Sequence, residues 1–179
     1  DSLSLVRVFD LNRNVKILDL GTGAGFPGIP LKIAFPEIDI VLADSLNKRV
    51  KFLNEVVETL QLKQVETVHG RAEELAKNKK YREQFDLCTS RAVANLSSLS
   101  EYCIPFVKEG GRFISYKSGE IEEEVDQAKR AIHVLGGKLD RVYKFDLHEQ
   151  KRSFVIIEKV KKTPAVYPRK AGTPTKEPL

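Results

Sequence analysis

The sequence has no methionine and no tryptophan, only two cysteines and three histidines, and no long apolar run. Each scarcity excludes something. Cys88 and Cys103 lie in apolar surroundings without CxxC spacing, which rules out a disulfide framework or a zinc site and fits a reducing compartment. They read as small core residues. His69, His133 and His148 are scattered, with no metal-ligand spacing and no nucleophile beside them, so structural or surface roles are expected and no metal is. No apolar stretch approaches the roughly 20 residues that span a bilayer, and no basic–apolar–small pattern of a signal peptide opens the chain. A cytoplasmic protein without a membrane partner is expected. Neither GxxxxGK[ST] nor GxSxG occurs, which excludes a P-loop and a hydrolase nucleophile elbow. The lack of methionine, with Asp1 as first residue, reads as a trimmed chain or one with modified residues left out.

What remains is a chain of 179 residues, 41% hydrophobic and 31% charged, which suffices for one globular domain with a real core. The net charge of +5 is unevenly spread. Lys and Arg against Asp and Glu number 22 to 23 over residues 1–150, but 8 to 2 over 151–179. A segregated positive segment suits either a phosphate-bearing partner or mere solubility.

Short apolar runs alternate with longer amphipathic stretches. Runs at 15–20, 38–43, 65–69, 85–89 and 112–117 read as strands, and 29–34, 47–60, 72–77, 96–107 and 121–135 as helices. In the second of these helices Val50, Leu53, Val57 and Leu60 recur at spacings of three and four. Such alternation predicts a parallel sheet covered by helices on both faces. The runs at 139–145 and 154–160 have only a short polar link, 146–153, between them, as in an antiparallel hairpin. The expected fold is therefore α/β: a class I methyltransferase-type (Rossmann-like) sheet, mostly parallel, closed by a C-terminal antiparallel hairpin. A methyltransferase domain is assigned to 1–160. Residues 161–179, with four prolines, read as a basic, extended, mobile tail without a core of its own.

The candidate site begins at the turn after the first strand, Gly21-Thr-Gly23-Ala-Gly25. Gly21 permits backbone angles denied to other residues, and Gly23 lets the chain approach a ligand closely. Ligands of open α/β sheets lie beyond the carboxyl ends of the strands, where this turn falls. Asp44 ends the second strand, 23 residues after Gly21, and can accept both hydroxyls of a ribose. The dinucleotide fingerprint wants glycine or alanine where Phe26 stands. Pro27 and Pro30 remove N–H donors from the helix start, making a poor pyrophosphate cradle. S-adenosylmethionine carries no phosphate and is preferred over NAD on that ground.

Together with DLGTGAGFPGIP (19–30), the strings DSLNKR (44–49), RAE (71–73), SRA (90–92) and YPRKAGTP (167–174) follow in order. In them the chain resembles the RsmG (GidB) family of bacterial 16S rRNA guanine-N7 methyltransferases, over essentially its whole length. The resemblance implies that Gly21 and Phe26 belong to the cofactor pocket, that Ala72 and Glu73 frame the adenine, and that Arg91 completes the site. It also implies a helical segment N-terminal to Asp1, absent from this chain, and 16S rRNA or the small ribosomal subunit as partner, with a monomeric enzyme expected. Lys48, Arg49, Arg169 and Lys170 are the candidate RNA contacts. Phe26 is also readable as a core anchor, Glu73 as an acid favoured in a first helical turn, Arg91 as an ion-pair partner, and Lys48 and Arg49 as a solvated helix face.

Guanine N7 offers a lone pair and carries no proton, so no general base is assigned and a positioning mechanism is expected. Two alternatives stay open: a methyltransferase for a small molecule or protein, and a non-catalytic module that binds cofactor or RNA.

Overall fold

The computed structural model describes residues 1–92 and 94–179. One sheet of seven strands forms its centre, in the order β3-β2-β1-β4-β5-β7-β6. Strands β1 (Lys16–Leu20), β2 (Asp39–Asp44), β3 (Val65–His69), β4 (Phe85–Ser90) and β5 (Val107–Ser118) run parallel. The last two, β6 (Gly137–Leu147) and β7 (Gln150–Lys159), pair antiparallel, and β7 inserts beside β5. The expected parallel sheet with an antiparallel closing hairpin is the one found.

Alternation along each strand explains the two layers of core. Leu18 and Leu20 of β1, Val41 and Ala43 of β2 and Cys88 of β4 point to one face. There they meet Leu96 and Leu99 of α4 (Leu96–Cys103) and Val125, Ala128 and Ile132 of α5 (Glu122–Val134). Ile17, Ile40, Leu42 and Leu87 point the other way. They meet Ile29 and Leu31 of α1 (Gly28–Ala34), Leu53 of α2 (Asn47–Thr59), and Leu5, Val8 and Phe9 in and just after the N-terminal 3-10 turn Ser2–Arg7. Strands buried on both faces are what continuous apolar runs encode.

Several boundaries differ from the sequence reading. The helix expected over 96–107 stops at Cys103, and a 3-10 turn, Ile104–Phe106, carries the chain into β5, because Pro105 cannot donate within a helix. The short helix α3 ends at Leu75 rather than 77. The hairpin link is only His148 and Glu149, at φ of 47° and 65°, a two-residue turn with both φ positive that suits the twist of its strands.

Residues 161–179 correct the expectation of a mobile tail. Thr163, Pro168 and Pro174 are buried, and a short helix α6 (Thr173–Lys176) lies against α4. The Arg82 guanidinium donates to the carbonyls of Thr163 (3.0 Å), Pro164 (3.2 Å) and Tyr167 (2.9 Å). The segment lacks a core of its own but borrows that of the domain; composition alone carries no trace of such docking.

Candidate functional site

From β1 the chain passes to β2 and β3 on one side, then returns to β4 on the other. The connections after β1 and β4 therefore diverge and leave a crevice beyond their carboxyl ends. Gly21 and Gly23 stand there at φ of 69° and 61°. The Gly21 and Thr22 N–H groups donate to the Ala43 carbonyl at 2.9 and 3.1 Å, hooking the turn onto the end of β2.

Two carboxylates organise this turn. Asp19 is fully buried, and its Oδ2 accepts from the Thr22 hydroxyl at 2.6 Å and the Gly28 N–H at 2.8 Å. It thus supplies the N-terminal capping of α1 that Pro27, without a side-chain bond of its own, does not. Its Oδ1 has no partner among the described residues, and burial pushes the carboxyl up to about 6. Asp44 is 3% exposed. Its Oδ2 accepts from the Gly23 N–H at 2.9 Å and faces Arg49 Nη1 at 3.5 Å, while Oδ1 accepts from the Leu46 N–H at 2.9 Å. A lone pair remains on Oδ1 for a further donor.

A cavity of about 230 Å³ opens on this turn. Gly21, Asp44, Ala72 and Glu73, expected from the sequence, line it. Ser45, Arg71, Ser90, Leu99 and Tyr102 line it too. Leu99 and Tyr102 escaped the sequence reading, since an amphipathic helix announces its buried face but not which residues overhang a cleft. Glu73 is buried, with Oε1 accepting from the Gly172 N–H at 2.8 Å and Oε2 3.8 Å from Arg71 Nε.

Three of the expected cofactor residues are not in this lining: Gly23, whose N–H is turned to Asp44, Phe26 and Arg91. Phe26 is 51% exposed and does not line this cavity. Arg91 lines a second cavity, of about 360 Å³, which meets the first at Ala92. Its walls carry three cations, Arg91, Lys117 and Arg152, and three aromatic rings, Tyr116, Phe145 and Phe154. The rings of Phe145 and Phe154 are stacked at 5.1 Å, and Tyr116 meets Phe154 edge-on at 4.7 Å. Arg91 Nη2 lies 3.3 Å from Asp1 Oδ2, and Arg152 Nε 3.6 Å from Oδ1 of the same residue. Lys117 Nζ donates to Glu124 Oε1 at 2.6 Å and to the Ala94 carbonyl at 2.9 Å. The Tyr116 hydroxyl donates to the Ser2 carbonyl at 2.7 Å, and burial raises its pKa far above the tyrosine range. Lys117 and Arg152 come from β5 and β7, distant in sequence, and no local motif joins them.

Of the candidate RNA contacts, Lys48 and Lys170 are exposed. Arg49 is half exposed and leans toward Asp44. Arg169 is held by the buried Glu101, to which its Nη2 donates at 2.7 Å and its Nε at 3.0 and 3.2 Å. Among the described residues no group of three or more His, Cys, Asp or Glu side chains is placed to hold a metal ion. No described helix is long and apolar enough to cross a membrane.

Comparison with known proteins agrees with this architecture. Solved structures with the same fold include a SAM-dependent methyltransferase from Aquifex aeolicus, with a TM-score of 0.65 at 20% identity over 88% of this chain and 89% of that one. TrmN from Thermus thermophilus scores 0.65 at 16% identity, over 89% of this chain and 48% of that one. In sequence, the ribosomal RNA small subunit methyltransferase G of Lachnoclostridium phytofermentans is 52% identical over the whole of this chain and 75% of its own length. That of Clostridium novyi is also 52% identical, over the whole of this chain and 74% of its own. The model of the GidB family, rRNA small subunit methyltransferase G, matches residues 1–155. The chain belongs to the GidB family of rRNA small subunit methyltransferases.

Proposed function

We propose that the protein binds S-adenosylmethionine in the cavity at the first turn and methylates N7 of a guanine of 16S rRNA held in the neighbouring cavity. One observation carries this reading: an acid-lined cleft and a cation- and aromatic-lined cleft share, among the described residues, one small lining residue, Ala92. The residues fit the cofactor. Asp44 retains acceptor capacity for ribose hydroxyls, and the buried carboxylates of Asp44 and Glu73 in the lining suit a cationic sulfonium better than the pyrophosphate of a nicotinamide dinucleotide. S-adenosylmethionine, when bound, supplies an electrophilic methyl group on a sulfonium.

The protein's own part is positioning. Guanine N7 brings its lone pair without a proton to remove, so none of the lining side chains has to act as a base. The rings of Tyr116, Phe145 and Phe154 offer apolar surface to a purine, while Arg91, Lys117 and Arg152 suit the phosphates flanking it. Ala92, with only a methyl side chain, leaves the two clefts in reach of each other. The purine gains a positive charge on methylation, and the carboxylates of Asp1 and Glu124 on the same walls offset it. We take the enzyme to act as a monomer in the cytoplasm, where its ribosomal substrate is, and to use no metal.

The test is tritium transfer from labelled S-adenosylmethionine to purified small-subunit rRNA and to assembled small subunits. The label is expected on a guanine N7 in one of the two. Failure of both as acceptors, or label on another atom, would overturn the assignment.

A further inference from the structure

The docked C-terminal segment touches the cofactor cavity at both of its walls. On one wall, the Gly172 N–H donates to Glu73 Oε1 at 2.8 Å, and Glu73 lines the cavity. On the other, α4 contributes Leu99 and Tyr102 to the lining and meets the segment through Ser98, Glu101 and Tyr102. Ser98 Oγ donates to the Pro174 carbonyl at 2.7 Å, and the Tyr102 and Thr175 hydroxyls lie 2.6 Å apart. Glu101, of the same helix and fully buried, takes the Arg169 backbone N–H at 2.7 Å as well as the guanidinium. Arg169 Nη2 also donates to the Glu177 carbonyl at 2.7 Å, which closes the segment on itself.

We propose that residues 167–176 are a positioning clamp for the cofactor cavity, anchored by Arg169 on Glu101, and that the Gly172 N–H and α4 carry the effect to the pocket. The proposal rests on the reading of that cavity as the S-adenosylmethionine site. The backbone N–H, Nε and Nη2 of Arg169 are engaged by Glu101 and Glu177, so its Nε–Nη2 edge, the fork that would grip a phosphate, is already occupied by a carboxylate. A carboxylate with an N–H fixed on one oxygen presents its other oxygen in one direction, and a helix pinned from outside keeps Leu99 and Tyr102 over the cleft. Linkage makes the effect mutual: a ligand that binds the clamped cavity must in turn favour clamping.

Calorimetry with S-adenosylhomocysteine tests this on the wild-type chain, on Arg169→Ala, and on a double variant, Glu101→Gln with Arg169→Gln, which leaves no buried charge should the single variant fail to fold. The affinity of both variants is expected to fall about tenfold, a common size of coupling, while binding to small-subunit rRNA stays within about twofold. In turnover, KM for S-adenosylmethionine is expected to rise with kcat nearly kept. Hydrogen exchange gives a readout that mere structural support would not move: amides of 167–176 gain protection when S-adenosylhomocysteine is added to the wild type. Loss of rRNA affinity at unchanged cofactor affinity would overturn the clamp and return Arg169 to the RNA contacts. Equal cofactor binding by wild type and variants would overturn the clamp alone. No binding by the wild type would overturn the pocket reading beneath it.

Discussion

Asp19 and Asp44 end neighbouring strands, yet their surroundings give them different tasks. Asp44 is supported by two backbone N–H groups and keeps acceptor capacity for a ligand, so Asp44→Asn is expected to weaken S-adenosylhomocysteine binding about tenfold, as for a lost hydrogen bond to a charged group. Equilibrium dialysis would check it, and unaltered affinity would remove Asp44 from the site. Asp19 is governed by burial, which lifts its carboxyl from 3.8 to about 6. Between those values the folded chain holds a proton that the unfolded chain has released. Its contribution to stability is therefore complete below about pH 4 and is lost as pH rises through about 6, by ~3 kcal/mol at most. Urea denaturation from pH 4 to 7 is expected to show that decline in the wild type and a flatter curve in Asp19→Asn. Parallel curves would mean that the proton resides elsewhere. In the second cleft, Arg152→Ala is expected to weaken rRNA binding about tenfold, as for a lost hydrogen bond to a charged group, and to lower methylation at limiting rRNA by the same factor, while leaving S-adenosylhomocysteine affinity unaltered. The legibility of these residues differs for a physical reason. Gly21, Asp44, Ala72 and Glu73 are each within a few residues of a strand end, so a local pattern finds them. Lys117 and Arg152 meet only because β7 returns beside β5, pairing Lys117 with Ser153. The ion pair of Arg169, expected as an RNA contact, has no trace in the sequence because its partner, Glu101, is 68 residues away and wholly buried.

At the level of elements, the junction of β1 and α1 is the tightest packed part of the site. A methyl group at Gly28 would collide with Leu42 Cδ2 and stand 2.8 Å from Asp19 Oδ2. Gly28→Ala is accordingly expected to lower stability by ~1–3 kcal/mol through overpacking, read as a shift of the urea midpoint without a change of slope. The strands and helices were largely legible, because runs buried on both faces and helical spacing survive in sequence. β1 to β4 fall where the apolar runs are, and α5 buries Val125, Ala128 and Ile132 on one stripe. Ends were less so. β5 begins at Val107, well before the apolar run at 112, because Val107 already pairs with Phe85 of β4, ahead of an irregularity that the register crosses before Arg112 pairs with Leu87. The hairpin strands extend into polar residues for the same reason: backbone pairing needs no apolar side chain. The last segment was misjudged most, since its fixing depends on single hydrogen bonds to Arg82, Glu83 and Glu101 and not on any periodicity.

Across the whole molecule, the net charge is +5 and Lys48 and Lys170 are exposed. On the proposed function, binding to rRNA is expected to weaken steeply with salt. A plot of log affinity against log salt for Lys48→Ala should have a slope shallower by about one than that of the wild type, since one phosphate contact fewer releases fewer counterions. An unchanged slope would leave Lys48 as an ordinary solvated side chain. The arrangement of the two clefts also fixes how turnover is ordered. Each is open to solvent, and of the described residues lining them only Ala92 is shared, so filling one leaves the mouth of the other clear. On the proposed function both substrates have to be present together, with no temporary carrier among the described lining side chains. Initial-rate plots against either substrate should intersect rather than run parallel. A spent cofactor should be exchangeable while the ribosomal particle stays bound, so that trapping by excess unlabelled RNA would separate a protein that lets go after every cycle from one that reloads in place.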